Sequence, residues 1–213
     1  QKTKIVKASS KRSNNLQGTV TCPGDKSISQ RSVIIGSLLD EDIQISGFLF
    51  AEDPLSTIGA LRNLGHEIEI DDDTVSVKNS RKKISDQKVS CNLGNSGTGF
   101  RLISGLIAGQ KIDAELVGDD SLSKRPMNRI INPLNEMGAK IESNKGCAPL
   151  TFNKSQLVKE FLYEMPIASA QLKSCLLLAA ISSNMKLTLH ENKVSRDHTE
   201  RMLKYFGANI TIK

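Results

Sequence analysis

The chain has 213 residues, 38% of them hydrophobic and 24% charged, with 15 Gly and 6 Pro; this balance fits a globular protein and excludes collagenous or low-complexity chains. Its longest purely apolar run, Cys175 to Ile181, is far short of the ~20 residues that cross a bilayer, and the polar start at residues 1–15 lacks the apolar stretch of a secretory signal. Net charge is +6, but Lys2, Lys4, Lys7, Lys11 and Arg12 face no acid within residues 1–20, and without them the remainder carries only +1.

With 4% aromatic residues and no Trp, base-stacking platforms are scarce, so neither nucleic acid nor membrane is an expected partner. Cys22, Cys91, Cys147 and Cys175 are scattered without a C-x-x-C pair, and only three histidines stand by to help them hold a metal. They are read as reduced, no metal is expected, and the implied localisation is cytoplasmic.

In chain order, a helix is expected from Ser27 into Val33 and Ile34, then a strand over Ile43 to Phe48, and a second helix stopped by Gly65 and followed by a strand. A further strand is read at Thr74 to Lys78. The pattern then recurs: a helix from Ser96, a strand at Ile112 to Val117, and a helix stopped by Gly138 before a strand, with Leu150 to Phe152 as an added strand. It recurs again with a helix from Ser169, a strand at Lys186 to His190, and a helix stopped by Gly207 before Ile210-Thr211-Ile212.

In each unit an apolar-periodic helix ends where Gly can take the left-handed conformation, and alternation then takes over. Ser-to-Gly offsets of 38, 42 and 38 residues mark a triplicated unit. Three such units, each too small to close a core alone, are expected to pack around a shared centre.

The first helix of each unit begins with small or hydroxylated residues and carries a cation near its start: Lys26 and Arg31, Arg101, and Lys173. Free N–H groups, the positive dipole end, a hydroxyl and a cation together suit a phosphate or carboxylate. Simple capping by Ser27, Ser96 and Ser169 is the structural alternative. Gly94 to Gly99 is a glycine-rich turn into a helix, yet it matches neither the P-loop nor the dinucleotide fingerprint. Arg125 precedes Pro126, which suits a helix start, so this cation too is read as lying near an N-terminus. Asp53, Asp119 and Asp197 are read as capping or loop carboxylates.

At Pro23 to Arg31, Leu93 to Arg101, Lys124-Arg125-Pro126 and Ala168 to Ser174 the sequence resembles the 5-enolpyruvylshikimate-3-phosphate synthase (EPSP synthase) family over nearly the whole chain. The resemblance implies an α/β fold, an inverted α/β barrel-like domain built from three βαβαββ-type repeats, here about 18–90, 91–160 and 161–213. It implies transfer of the enolpyruvyl group of phosphoenolpyruvate to the 5-hydroxyl of shikimate 3-phosphate, a step toward the aromatic amino acids, without metal or organic cofactor. For shikimate 3-phosphate it implies binding by Lys26, Ser27, Arg31, Ser169, Ala170, Gln171, Ser195 and Arg196. For phosphoenolpyruvate it implies Lys26, Gly97, Arg125 and Gln171. Ala170, Leu102 and His198 look like the class II branch. Gly97, where a larger residue can accompany glyphosate insensitivity, implies that the inhibitor is admitted.

Members of the family are roughly twice as long, so the chain looks like the N-terminal half. The acid and base carboxylates and several further arginines belong to the other half, which makes the missing C-terminal domain an implied partner. The lead segment 1–17 resembles a strand of that other domain. A sister enzyme acting on a UDP-sugar, and an RNA-end-processing relative of the same repeat fold, are the alternatives. The first usually carries Lys-Asn where Lys26-Ser27 stand, and the second is disfavoured by the balanced charge of the body.

Overall fold

A computed structural model describes residues 8–79 and 88–212. Lys2, Lys4 and Lys7 of the basic lead lie outside the described residues; residues 8–24 form no helix or strand and are almost all exposed.

The first set of elements is α1 (Lys26–Gly36), β1 (Ile43–Ser46), α2 (Glu52–Asn63), β2 (Glu67–Asp71) and β3 (Thr74–Lys78). The second is β4 (Val89–Asn92), α3 (Gly97–Gln110), β5 (Ala114–Val117), a single 3-10 turn at Leu122–Lys124, α4 (Asn128–Glu136), β6 (Lys140–Asn144) and β7 (Cys147–Asn153). The third is β8 (Glu160–Met165), α5 (Ala170–Ser183), β9 (Lys186–Glu191) and α6 (His198–Tyr205). The middle set is a complete βαβαββ unit. Among the described residues the first lacks its leading strand and the third its closing pair.

The sheets repeat the same plan. β4 and β5 are parallel, β7 pairs antiparallel with β5, and β6 closes the order β4-β5-β7-β6. The first sheet is the same without its leading strand, β1-β3-β2, and the third keeps only the parallel pair β8-β9. The expected strand at Ile210 to Ile212 is absent. Alternation there is real, but a strand exists only where a neighbour completes its hydrogen-bond ladder, and none adjoins this segment among the described residues.

The helix stops behave as read: Gly65, Gly138 and Gly207 have φ of +96°, +102° and +86°, a region that side chains resist. The caps need one correction. Ser96 and Ser169 accept from Gly99 N–H at 3.1 Å and Leu172 N–H at 3.3 Å. At α1 the cap is Asp25, whose carboxylate accepts from Ile28 N–H at 2.8 Å, because the chain turns helical one residue before Ser27. Ser27 is thereby freed for another partner.

α3 and α5 form the centre. Phe100, Leu102, Ile103, Leu106 and Ile107 of α3, and Leu172, Cys175 and Leu176 of α5, are fully buried. The two helices approach so closely that a Cβ on Gly105 would stand 2.0 Å from the carbonyl oxygen of Cys175. In the sheets burial alternates, as at β3 where Val75 and Val77 are inward, so each sheet covers the helical centre with one face.

Candidate functional site

Hydrogen bonds tie the starts of α1, α3 and α5 together. Gln30 on α1 is fully buried, and its amide donates to Ser96 Oγ, the α3 cap, at 2.5 Å and to Thr57 Oγ1 on α2 at 3.0 Å. Gln171, in the first turn of α5, donates to Thr98 Oγ1 in the first turn of α3 at 2.9 Å. Three helix N-termini therefore share one end of the molecule, and their unpaired N–H groups and dipoles reinforce one another there.

The cations differ in what they do. Lys26 Nζ pairs with Asp53 Oδ2 at 2.8 Å and stays exposed. Asp53 is thus neither a cap nor a loop carboxylate; it lies in the first turn of α2, two residues after the Ala51 cap, and joins that turn to the start of α1. Arg31 is buried and spans three elements. Its Nη1 donates to Ser27 Oγ at 2.5 Å, its Nε to Thr199 Oγ1 on α6 at 2.7 Å, and its Nη2 to Ser174 Oγ on α5 at 2.9 Å. Every one of these acceptors is neutral, so the charge of Arg31 is not cancelled by direct pairing. Burial lowers its pKa and the nearby charge of Arg196 lowers it further, while Glu200 and Asp25 pull it back up. Two guanidiniums within electrostatic reach of each other suit an anion.

A second cationic group gathers around Gly97. A Cβ there would lie 3.0 Å from Arg125 Nη1 and 3.1 Å from Arg101 Nη1, so both guanidiniums lie over the glycine. Arg125 does not open a helix, since α4 begins at Asn128; it follows the 3-10 turn and is oriented by Asn95 Oδ1. Arg101 donates to the Gly97 carbonyl at 2.9 Å, and burial, Arg129 and Arg125, in that order, lower its pKa. Asp119 serves the loop as read: its carboxylate accepts from Leu122 N–H at 2.7 Å and from Asn95 at 2.8 Å. Asp197 occupies the cap position of α6 without a side-chain hydrogen bond.

Lys173 departs from its expected part. It is not an anion-collecting cation, for it is buried and paired with Glu191 at 2.7 Å and Glu200 at 2.6 Å. Ser195 Oγ donates to the other oxygen of Glu191 at 2.5 Å, while Arg196 is exposed. Ala170 is the first residue of α5, immediately after the Ser169 cap. Thr98, Asn95, Ser174 and Thr199 went unassigned in the sequence. Only their neighbourhood marked them: the first three lie in the Leu93 to Arg101 and Ala168 to Ser174 motifs, and Thr199 lies in the Val194 to Glu200 stretch that carries Ser195 and Arg196.

The profile of the EPSP synthase (3-phosphoshikimate 1-carboxyvinyltransferase) family matches residues 10–213. The chain belongs to the EPSP synthase family. It is 49% identical over 206 residues to the 3-phosphoshikimate 1-carboxyvinyltransferase of Ruthia magnifica subsp. Calyptogena magnifica, covering 95% of this chain and 47% of the relative. To the enzyme of the same name from Thermoanaerobacter sp. (strain X514) it is 45% identical over 203 residues, again 95% of this chain and 48% of the relative. A solved EPSP synthase from Acinetobacter baumannii superposes with a TM-score of 0.83 at 40% identity, covering 92% of this chain and 45% of that one. The mixed helix and sheet architecture is thus that of EPSP synthases, and the chain spans about half the length of the relatives it matches. Among the described residues no helix is long and apolar enough to cross a membrane.

Proposed function

We propose that this chain is the shikimate 3-phosphate-binding half of an enzyme that transfers enolpyruvyl from phosphoenolpyruvate to the 5-hydroxyl of that substrate, a cytoplasmic step of aromatic amino acid biosynthesis. Residues 18–213 form the binding domain, and residues 1–17 belong to the lead toward the complementary half. The observation that carries the reading is the union of three helix N-termini by Gln30–Ser96 and Gln171–Thr98 hydrogen bonds, with Arg31 and Arg196 on one side and Arg125 over Gly97 on the other. Two anionic substrates need two such positions side by side.

In this reading Ser27 and Arg31 hold the carboxylate and hydroxyls of the shikimate ring. Ser169, Ala170, Gln171, Ser195 and Arg196 receive its phosphate. Gly97, Arg125 and Gln171 face phosphoenolpyruvate, and Lys26 touches both ligands. The acid and base that move protons come from the complementary half.

Three or four charge-assisted contacts at ~1.5–3 kcal/mol each, offset by the cost of association, leave roughly millimolar to tens of micromolar affinity. Calorimetry should therefore detect weak shikimate 3-phosphate binding by the chain alone, reduced in Lys26→Ala, with no turnover until the complementary half is supplied. A folded chain that gives no heat with this ligand refutes the binding assignment. Measurable turnover by the chain alone refutes the division of labour.

A further inference from the structure

Lys173 and Ser174 are consecutive on α5, and Thr199 and Glu200 are consecutive on α6. The two pairs meet: Ser174 Oγ lies 2.6 Å from Thr199 Oγ1, and Lys173 Nζ lies 2.6 Å from Glu200 Oε1. Each meeting point continues to a different ligand group. Through Thr199 and Ser174 it reaches Arg31. Through Lys173 it reaches Glu191, which accepts from Ser195 Oγ in the loop that also carries Arg196. The side chains of Lys173, Glu191 and Glu200 are only 8%, 15% and 9% exposed, so this cluster lies beneath the anion site rather than on its surface.

The arrangement sets a problem of charge. An anion site has two carboxylates directly under it, and Glu200 acts electrostatically on Arg31. One oxygen of Glu200 is buried without a hydrogen-bond partner. Left to itself, Glu200 would draw the guanidinium of Arg31 inward and compete with any anionic ligand. Lys173 stands between the two carboxylates and holds both. Burial disfavours its charge, but the hydrogen bonds and charges of Glu191 and Glu200 outweigh this and raise its pKa. Burial likewise opposes ionisation of Glu191, and the bonds from Lys173 and Ser195 overcome it. Lys173 and Glu191 are therefore ionised at neutral pH, and both acids are bound to one internal cation.

We propose that Lys173 is a positioning residue of the phosphorylated-ligand site: by engaging Glu191 and Glu200 it keeps Arg31 available to an anion and, through the Glu191–Ser195 hydrogen bond, holds the loop that carries Arg196. The proposal rests on the reading of this end as the shikimate 3-phosphate site. It differs from a purely structural role in one respect. If Lys173 merely bridges α5, β9 and α6, Glu200→Gln weakens one arm of the bridge and lowers binding with it; if Lys173 restrains competing charge, Glu200→Gln leaves binding intact or tighter.

The test is titration of the whole chain with shikimate 3-phosphate at low ionic strength, with folding checked by circular dichroism. Lys173→Met should weaken binding at least tenfold, and Lys173→Arg should recover most of it. Lys173→Met combined with Glu191→Gln and Glu200→Gln should return to within about threefold of wild type, although every ion pair of the cluster is gone. Glu200→Gln alone, which keeps the bridge to Glu191, should bind at least as tightly as wild type and serves if Lys173→Met does not fold. Unchanged binding by Lys173→Met, a triple variant as weak as the single one, or weakened binding by Glu200→Gln overturns the proposal while leaving the function intact. Failure of the wild-type chain to bind overturns the functional reading and this proposal with it.

Discussion

Replacing Arg31 by alanine removes the cation that three elements jointly orient. Its partners are Ser27, Thr199 and Ser174, and the last two keep each other at 2.6 Å when it is gone. The folding cost is that of hydrogen bonds from an ion to neutral hydroxyls, offset by relief of the burial of that ion, about 1–2 kcal/mol, which a domain of ordinary stability tolerates. The binding cost is larger, because a charge-assisted contact to a carboxylate contributes about 1.5–3 kcal/mol, or about 10–150-fold in affinity. Arg31→Lys keeps the charge but concentrates its donors at one point, so it cannot serve Thr199, Ser174 and Ser27 on three sides and also face a ligand. It should fall between alanine and wild type. Calorimetric titration with shikimate 3-phosphate, paired with urea unfolding of each variant, measures both costs. Binding by a folded Arg31→Ala within threefold of wild type would refute the assignment of Arg31 to the ligand.

Gly105→Ala tests the central helix packing: the new methyl meets backbone atoms of Cys175, and overpacking of about 1–3 kcal/mol outweighs the helix propensity gain of about 1 kcal/mol. The urea midpoint should fall; a rise would show that α3 and α5 separate freely. Gly97→Ala crowds the side-chain ends of Arg125 and Arg101, with Leu122 in ordinary contact, so stability should stay within about 0.5 kcal/mol of wild type while both guanidiniums shift. In the reconstituted enzyme the wild type should be inhibited by glyphosate and this variant should not, as read from inhibition curves. Stability should also depend on pH at both flanks. The lowered pKa of Glu191 contributes stability above about pH 4.3 that is lost as pH falls through the folded value; the raised pKa of Lys173 contributes below about pH 10.4 and is lost as pH rises through its folded value. Burial lowers the pKa of His66, so protonation below about pH 6.5 adds acid destabilisation. Urea midpoints from about pH 2 to about pH 12 should trace a plateau with both edges, and Lys173→Met should lose the alkaline one.

The sequence by itself determined what depends on neighbours along the chain. The Gly65, Gly138 and Gly207 stops and the Ser96 and Ser169 caps are local, because a cap or a left-handed turn involves only a few consecutive residues, and the threefold repetition is read directly from their spacing. The sites that resembled a known family were legible as motifs for the same reason. The fate of charges was decided only by the tertiary structure. Lys26, Arg31 and Lys173 hold similar places on related helices, yet one pairs with Asp53, one meets hydroxyls and a backbone carbonyl and one is enclosed by Glu191 and Glu200. Apart from Ser27, those partners lie 18 to 168 residues away in the chain. The same holds for Ile210 to Ile212, where alternation promised a strand and the absence of an adjoining ladder withheld it. Backbone conformation answers to local sterics, whereas the meaning of a charge or a strand edge is set by whatever the fold brings against it.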